Sequence, residues 1–148
     1  MSDIRVAFVM ATWHDDLVDR TKLGFVERMA ELGHGEDSID VHKLPGALEF
    51  PLHCKKLAET GNYDVIVTAA LVVDGGIYRH EFVAHAVLQG IMNVMLETGV
   101  PIMSAVLTPQ HFHEHDVHHA FFFDHLVKKG REAADAAIAT VASLKAIG

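Results

Sequence analysis

A chain of 148 residues, half of them apolar, suits one domain with its own core and needs no disulfide or metal staple. The formal net charge of −8 argues against a nucleic-acid partner, because a phosphate backbone is met by a basic face. No apolar run approaches the ~20 residues of a membrane span, no leader with a cleavage site is read at the start, and the single cysteine, Cys54, excludes an internal disulfide framework; no membrane contact and a cytoplasmic location are expected.

Apolar, β-rich runs alternate with helical periodicity along the whole chain, with no repeat or linker to divide it, so residues 1–148 are read as one domain. Residues 4–11 form the first expected strand. A helix follows, with Asp15 or Asp16 as its cap, Val18, Phe25, Met29 and Leu32 on one side, and Gly33 at its end. Residues 39–44 make a second strand, Pro45-Gly46 turns the chain, and Pro51 fits a first helical turn. That second helix stops at Gly61-Asn62, and Cys54 on its apolar pattern reads as a buried, inert thiol. Residues 64–73 are almost continuously apolar, as a central parallel strand covered on both faces must be. A third helix then offers Phe82, Val83, Ala86, Val87, Gly90, Ile91 and Val94 to the interior; residues 102–107 form a fourth strand, and two further helical segments close the chain. The order βαβαβαβαα implies a parallel sheet between two helix layers.

In such sheets ligands sit beyond the carboxyl ends of the strands. Trp13, the sole tryptophan, and His14 follow strand one, where an indole could stack on a flat ring or cover the sheet edge. Pro45-Gly46-Ala47-Leu48-Glu49 follows strand two; Glu49 reads equally as an acid favoured by a helix start or as an acceptor for polyol hydroxyls. Asp74-Gly75-Gly76-Ile77-Tyr78-Arg79-His80 joins strand three to a helix start, a geometry able to hold an anion, with Arg79 and His80 adding charge or moving protons. Residues 111–119 are histidine-dense, and His111, His115 and His118 would share a helical face. They match no known ligand spacing, so a pH-sensitive surface or subunit contact is preferred and no metal is expected. Phe121-Phe122-Phe123 cannot all enter one core, which favours a homo-oligomer.

Taken in order, these motifs resemble the lumazine synthase family across nearly the whole chain: Trp13-His14, Pro45-Gly46-Ala47-Leu48-Glu49, the glycine loop before a His-bearing helix start, Val100-Pro101 through Leu107-Thr108-Pro109, and Lys129-Gly130 before an alanine-rich helix. The resemblance implies a flavodoxin-like three-layer αβα sandwich around a four-stranded parallel sheet. It implies condensation of 5-amino-6-(D-ribitylamino)uracil with 3,4-dihydroxy-2-butanone 4-phosphate, with no cofactor or metal, in pentamers, paired pentamers or shells. Carried over by position, Trp13 would stack on the pyrimidine, with His14 beside it. Ala47, Leu48 and Glu49 would hold the ribityl chain, and Leu71, Val72 and Val73 would contact the ring. Gly75, Gly76 and Ile77 would meet the phosphate, Lys129 would lie near the heterocycle, and Ser104 would reach a neighbouring subunit's site.

The chain departs from the family where the family reads Arg-Gly-Ala-Thr-x-His. Here the run is Asp74-Gly75-Gly76-Ile77-Tyr78-Arg79, so an arginine stands at the position of the acid/base histidine, with His80 next to it. Arginine stays protonated and cannot act as a base, but it can stabilise developing charge. A phosphate-binding threonine is Ile77, and a phosphate-binding arginine aligns near His118 or His119. These changes resemble the divergent second type found in some bacteria and imply a slow enzyme. An altered phosphate set also leaves a non-catalytic flavin- or lumazine-binding oligomer as the alternative. Residues 121–128, read as a long connection between the last two helices, favour paired pentamers over a shell.

Overall fold

The computed structural model describes residues 4–72, 80–107 and 116–148, with the side chains of 80 and 116–123 outside that description. Its elements are β1 (Val6–Ala11), α1 (Asp15–Glu31), β2 (Ile39–Leu44), α2 (Phe50–Glu59), β3 (Val65–Leu71), α3 (His80–Thr98), β4 (Ile102–Leu107) and α4 (Asp116–Ile147). Short 3₁₀ turns at Glu36–Ser38 and Ala47–Glu49 lead into β2 and α2. The four strands form one parallel sheet in the order β2-β1-β3-β4. This is the expected three-layer αβα sandwich, with four α-helices among the described residues where the sequence suggested five.

The sheet is buried because its central strands are apolar at every position. β1 and β3 have no exposed residue, so their odd and even side chains feed two separate cores. On one face Phe8, Met10, Val67 and Leu71 pack against Phe25, Met29, Leu126 and Ala134 of α1 and α4, with the Phe8 and Phe25 rings 5.1 Å apart. On the other, Val9, Ile66 and Ala70 meet Phe50 and Cys54 of α2 and Val87, Ile91 and Val94 of α3. Cys54 is fully buried as expected, and desolvation pushes its thiol up to about 12.

Three expectations are corrected. The final helical region is one 32-residue helix, so residues 121–128 are not a connection between helices. No proline interrupts that stretch, and Gly130 serves a packing purpose rather than breaking the helix. A Cβ on Gly130 would strike the Thr21 carbonyl oxygen, and one on Gly24 the Val127 carbonyl oxygen, so each glycine lets the backbones of α1 and α4 meet. Second, neither Asp15 nor Asp16 caps α1; both lie in its first turn, near the positive end of the helix dipole, and His14 occupies the cap. Third, α3 buries Ala84, Val87, Ile91 and Val94 at intervals of one helical turn, which leaves Phe82 66% exposed and turns Ala86 outward.

Candidate active site

Register locates the strand ends at which the candidate site is sought. Ala11 pairs with Leu44, Met10 with Ala69 and Leu71 with Leu107, so the strands end nearly level. The ladder runs one residue further on both sides: the Thr12 N–H donates to the Leu44 carbonyl and the Val72 N–H to the Leu107 carbonyl, both at 2.8 Å. The chain leaves β1 towards β2 on one side, whereas β3 continues to β4 on the other. The order therefore reverses between β1 and β3, and in sheets of this kind ligands bind in the crevice outside the carboxyl ends at such a switch point.

Trp13 stands at that edge, directly after the last rung, and is 61% exposed despite its size. An indole so exposed beside a switch point leaves a ring face open to a planar partner. His14 follows in the left-handed region, φ 57° and ψ 41°, and begins α1 without a side-chain capping bond. Across the β1–β2 pair, Ala47 is buried, Leu48 is 59% exposed and Glu49 faces solvent. The Gly46 N–H donates to Glu49 Oε2 at 3.0 Å. Glu49 thus closes its own turn, yet a carboxylate offers about four acceptor sites and one bond leaves capacity for hydroxyls.

The remaining expected residues divide. Leu71 and Val72 are buried at the end of β3, so only their backbone edges can meet a ligand. His80 opens α3. Val73, Gly75, Gly76, Ile77 and Arg79 lie outside the described residues, as do His111 and His115 and the side chains of His80, His118, His119 and Phe121 to Phe123. Ser104 is in the middle of edge strand β4, opposite Thr68, exposed, with its hydroxyl accepting the Val106 N–H at 3.3 Å. Lys129 donates to Glu132 Oε2 at 3.1 Å, one turn along its own helix. Among the described residues no group of three His, Cys, Asp or Glu could hold a metal ion, and no helix is long and apolar enough to cross a membrane.

Sequence reasoning missed Thr12. Besides its ladder bond, its hydroxyl donates to the Pro45 carbonyl at 3.5 Å, tying the turn that bears Trp13 to the turn that bears Glu49. The available signal was a hydroxyl residue immediately before the lone tryptophan.

A parallel α/β sheet whose order reverses between β1 and β3, with an exposed indole and an acidic turn beyond the strand ends, belongs to the doubly wound class of domains, whose ligands sit at that switch point. Comparison with known proteins makes the assignment specific. The family described as 6,7-dimethyl-8-ribityllumazine synthase matches residues 3–145. A 6,7-dimethyl-8-ribityllumazine synthase of Rhodococcus erythropolis is 57% identical over 150 aligned positions, covering 99% of this chain and 97% of its own. Proteins named 6,7-dimethyl-8-ribityllumazine synthase 2 from Pseudomonas syringae and Bradyrhizobium diazoefficiens are 54% and 51% identical, covering 97% and 95% of this chain and 84% of each of theirs. The chain therefore belongs to the 6,7-dimethyl-8-ribityllumazine synthase family and is a transferase of riboflavin biosynthesis.

Proposed function

We propose that the condensation takes place in the β1/β3 crevice, with Trp13 stacked on the pyrimidine of the ribitylaminouracil and Glu49 receiving its ribityl hydroxyls. The observation that carries this reading is the exposed lone indole at the switch point, linked through Thr12 to the Glu49 turn. His14, Ala47 and Leu48 complete that wall, the backbone edges of Leu71 and Val72 line the floor, and Val73 contacts the ring. Gly75, Gly76 and Ile77, with His118 or His119, receive the phosphate of the butanone.

The amine of the uracil attacks the ketone, and loss of water gives an imine. Loss of the C3 proton and departure of phosphate from C4 give an enol, which tautomerises to a new ketone at C3, and the ring closes when the ribityl-bearing nitrogen adds to that ketone with loss of a second water. Holding two substrates in register accounts for much of the rate, since approximation alone can supply ~7–11 kcal/mol of the barrier. Arg79 stabilises charge on the departing phosphate, His80 moves the proton, and Lys129 approaches the heterocycle. No cofactor or metal takes part.

Leu52, Phe82, Met92 and Leu96 are 66%, 66%, 47% and 79% exposed on α2 and α3, an apolar surface that suits burial against identical subunits. We place the protein in the cytoplasm as a pentamer or a pair of pentamers, with Ser104 of one subunit approaching a neighbour's crevice. The continuous α4 removes the long connection as a ground for choosing paired pentamers, and the exposed α2/α3 surface takes its place as the ground for association itself.

The direct test mixes purified protein with both substrates and follows the fluorescence of the lumazine; turnover no faster than the uncatalysed reaction defeats the reading. Arg79→Ala is expected to lower turnover by about 10²-fold, in the range of losing one electrostatic contact to developing charge. Unchanged steady-state kinetics would move that role away from Arg79.

A further inference from the structure

The turn that carries Trp13 contains an unusual backbone. His14 is the one non-glycine residue of positive φ among the described residues, with φ 57° and ψ 41°. A side chain with a Cβ is disfavoured there; glycine adopts the region freely, asparagine tolerates it well, and β-branched residues fit it worst. Such a conformation persists only where its surroundings over-determine it.

The surroundings here are two anchors. Before the turn, the Thr12 N–H is held by the Leu44 carbonyl at 2.8 Å, the last rung between β1 and β2. After it, the His14 carbonyl accepts the N–H groups of both Leu17 and Val18 at 3.0 Å, so α1 begins at His14 itself. Only Trp13 lies between the anchors. The chain must leave a strand and reverse into a helix over Trp13 and His14, and the left-handed step at His14 makes the reversal. Trp13 is left 61% exposed on a backbone pinned from both sides. A residue held in this way loses little freedom when a ligand arrives, which is how preorganisation raises affinity.

Resting on the reading of Trp13 as the plate for the heterocycle, we propose that His14 is a positioning residue. Its left-handed backbone, rather than its imidazole, aims the indole at the crevice.

The test uses the fact that Trp13 is the sole tryptophan, so indole emission reports this residue alone. The intact protein and the variants His14→Asn, His14→Ala and His14→Val are titrated with 6,7-dimethyl-8-ribityllumazine while quenching of the indole is followed. Acrylamide quenching without ligand measures how firmly the indole is held, a property that direct contact between the imidazole and ligand would not set. Binding by His14→Asn is expected within about twofold of the parent, His14→Ala several-fold weaker and His14→Val about ten-fold weaker, following their tolerance of the left-handed region. Acrylamide quenching should rise in the same order, and the KM for the ribitylaminouracil should rise while kcat at saturation holds. If His14→Val does not fold, the Asn and Ala variants, which both lack the imidazole, still supply the comparison. Equal losses in Asn and Ala would mean that the imidazole itself touches the ligand and would overturn the proposal; parent-like binding by every variant would overturn it from the other side. Should the parent's indole fail to respond to the lumazine, the reading of Trp13 falls, and this inference with it.

Discussion

The two helix layers of this chain are finished to different degrees. On one face of the sheet α1 and α4 meet backbone to backbone at Gly24 and Gly130. Their outer edges are joined by ion pairs, Arg28 to Asp135 at 2.8 Å and Arg131 to Glu31 at 2.7 Å. On the other face α2 and α3 close firmly onto the sheet through Phe50, Cys54, Val87 and Ile91, yet leave Leu52, Phe82, Met92 and Leu96 in solvent. Among the described residues the first layer is tied together by contacts within one chain, with Leu23, Leu144 and Ile147 as its exposed apolar side chains. The second presents apolar side chains on both its faces, as a helix layer does when it separates a core from another surface. The contrast among the described residues lies in what stands on the outer face of each helix: ion pairs on one layer, apolar side chains on the other.

The largest expected effect breaks the α1/α4 layer. Gly130→Ala places a methyl against the Thr21 carbonyl oxygen, where backbone rather than a pliant side chain must yield. A loss of about 3 kcal/mol or more is expected, read as a lower urea midpoint. A variant as stable as the parent would show that the helices do not approach so closely.

Next comes the α2/α3 layer. Leu52→Asp together with Leu96→Glu changes side chains that are 66% and 79% exposed, so the fold of the single chain should shift by no more than ~0.5 kcal/mol per site. Light scattering should nevertheless report a smaller particle. An unchanged mass would show that this layer is complete without a partner.

The smallest effect concerns the ion pairs. Arg131, then Arg28, hold the Glu31 carboxyl at about 2, against an ordinary 4.5. A folded value below the unfolded one adds stability above pH ~4.5 and loses it as pH falls towards 2. Glu31→Gln should therefore weaken the dependence of the urea midpoint on pH across that window. The change should be modest, because both partners are substantially exposed and screened. Identical pH profiles for variant and parent would show that the network adds nothing to the layer.

Much of the fold was legible because its signals are local. The apolar runs of β1 and β3, Pro51 at a helix start and the alternation of strands and helices each follow from a few neighbouring residues. What escaped was decided at a distance. Gly130 breaks a helix by propensity, but here it is selected by the backbone of α1, more than a hundred residues earlier in the chain. Phe82 looks like core by composition, and only the phase of Ala84, Val87 and Ile91 turns it outward. The site divided along the same line. Trp13 and Glu49 were expected at strand ends, and register places them there, because position after a strand is a sequence property. The left-handed backbone of His14 and the Thr12 link to Pro45 were not legible, since both arise from closing two turns against each other. Ser104 and Lys129 came from resemblance alone. Their described contacts, with Val106 and Glu132, lie within their own elements.

The pairing of α1 with α4 also governs how the molecule can be made. Arg28 and Asp135 are 107 positions apart, and α1 emerges from the ribosome with its neighbour still unsynthesised. Without α4, Phe25 and Met29 have only an incomplete shelter, and contacts so remote in sequence form slowly. The α1–α4 layer is therefore a late element of the fold, built from contacts that the N-terminal half cannot make by itself.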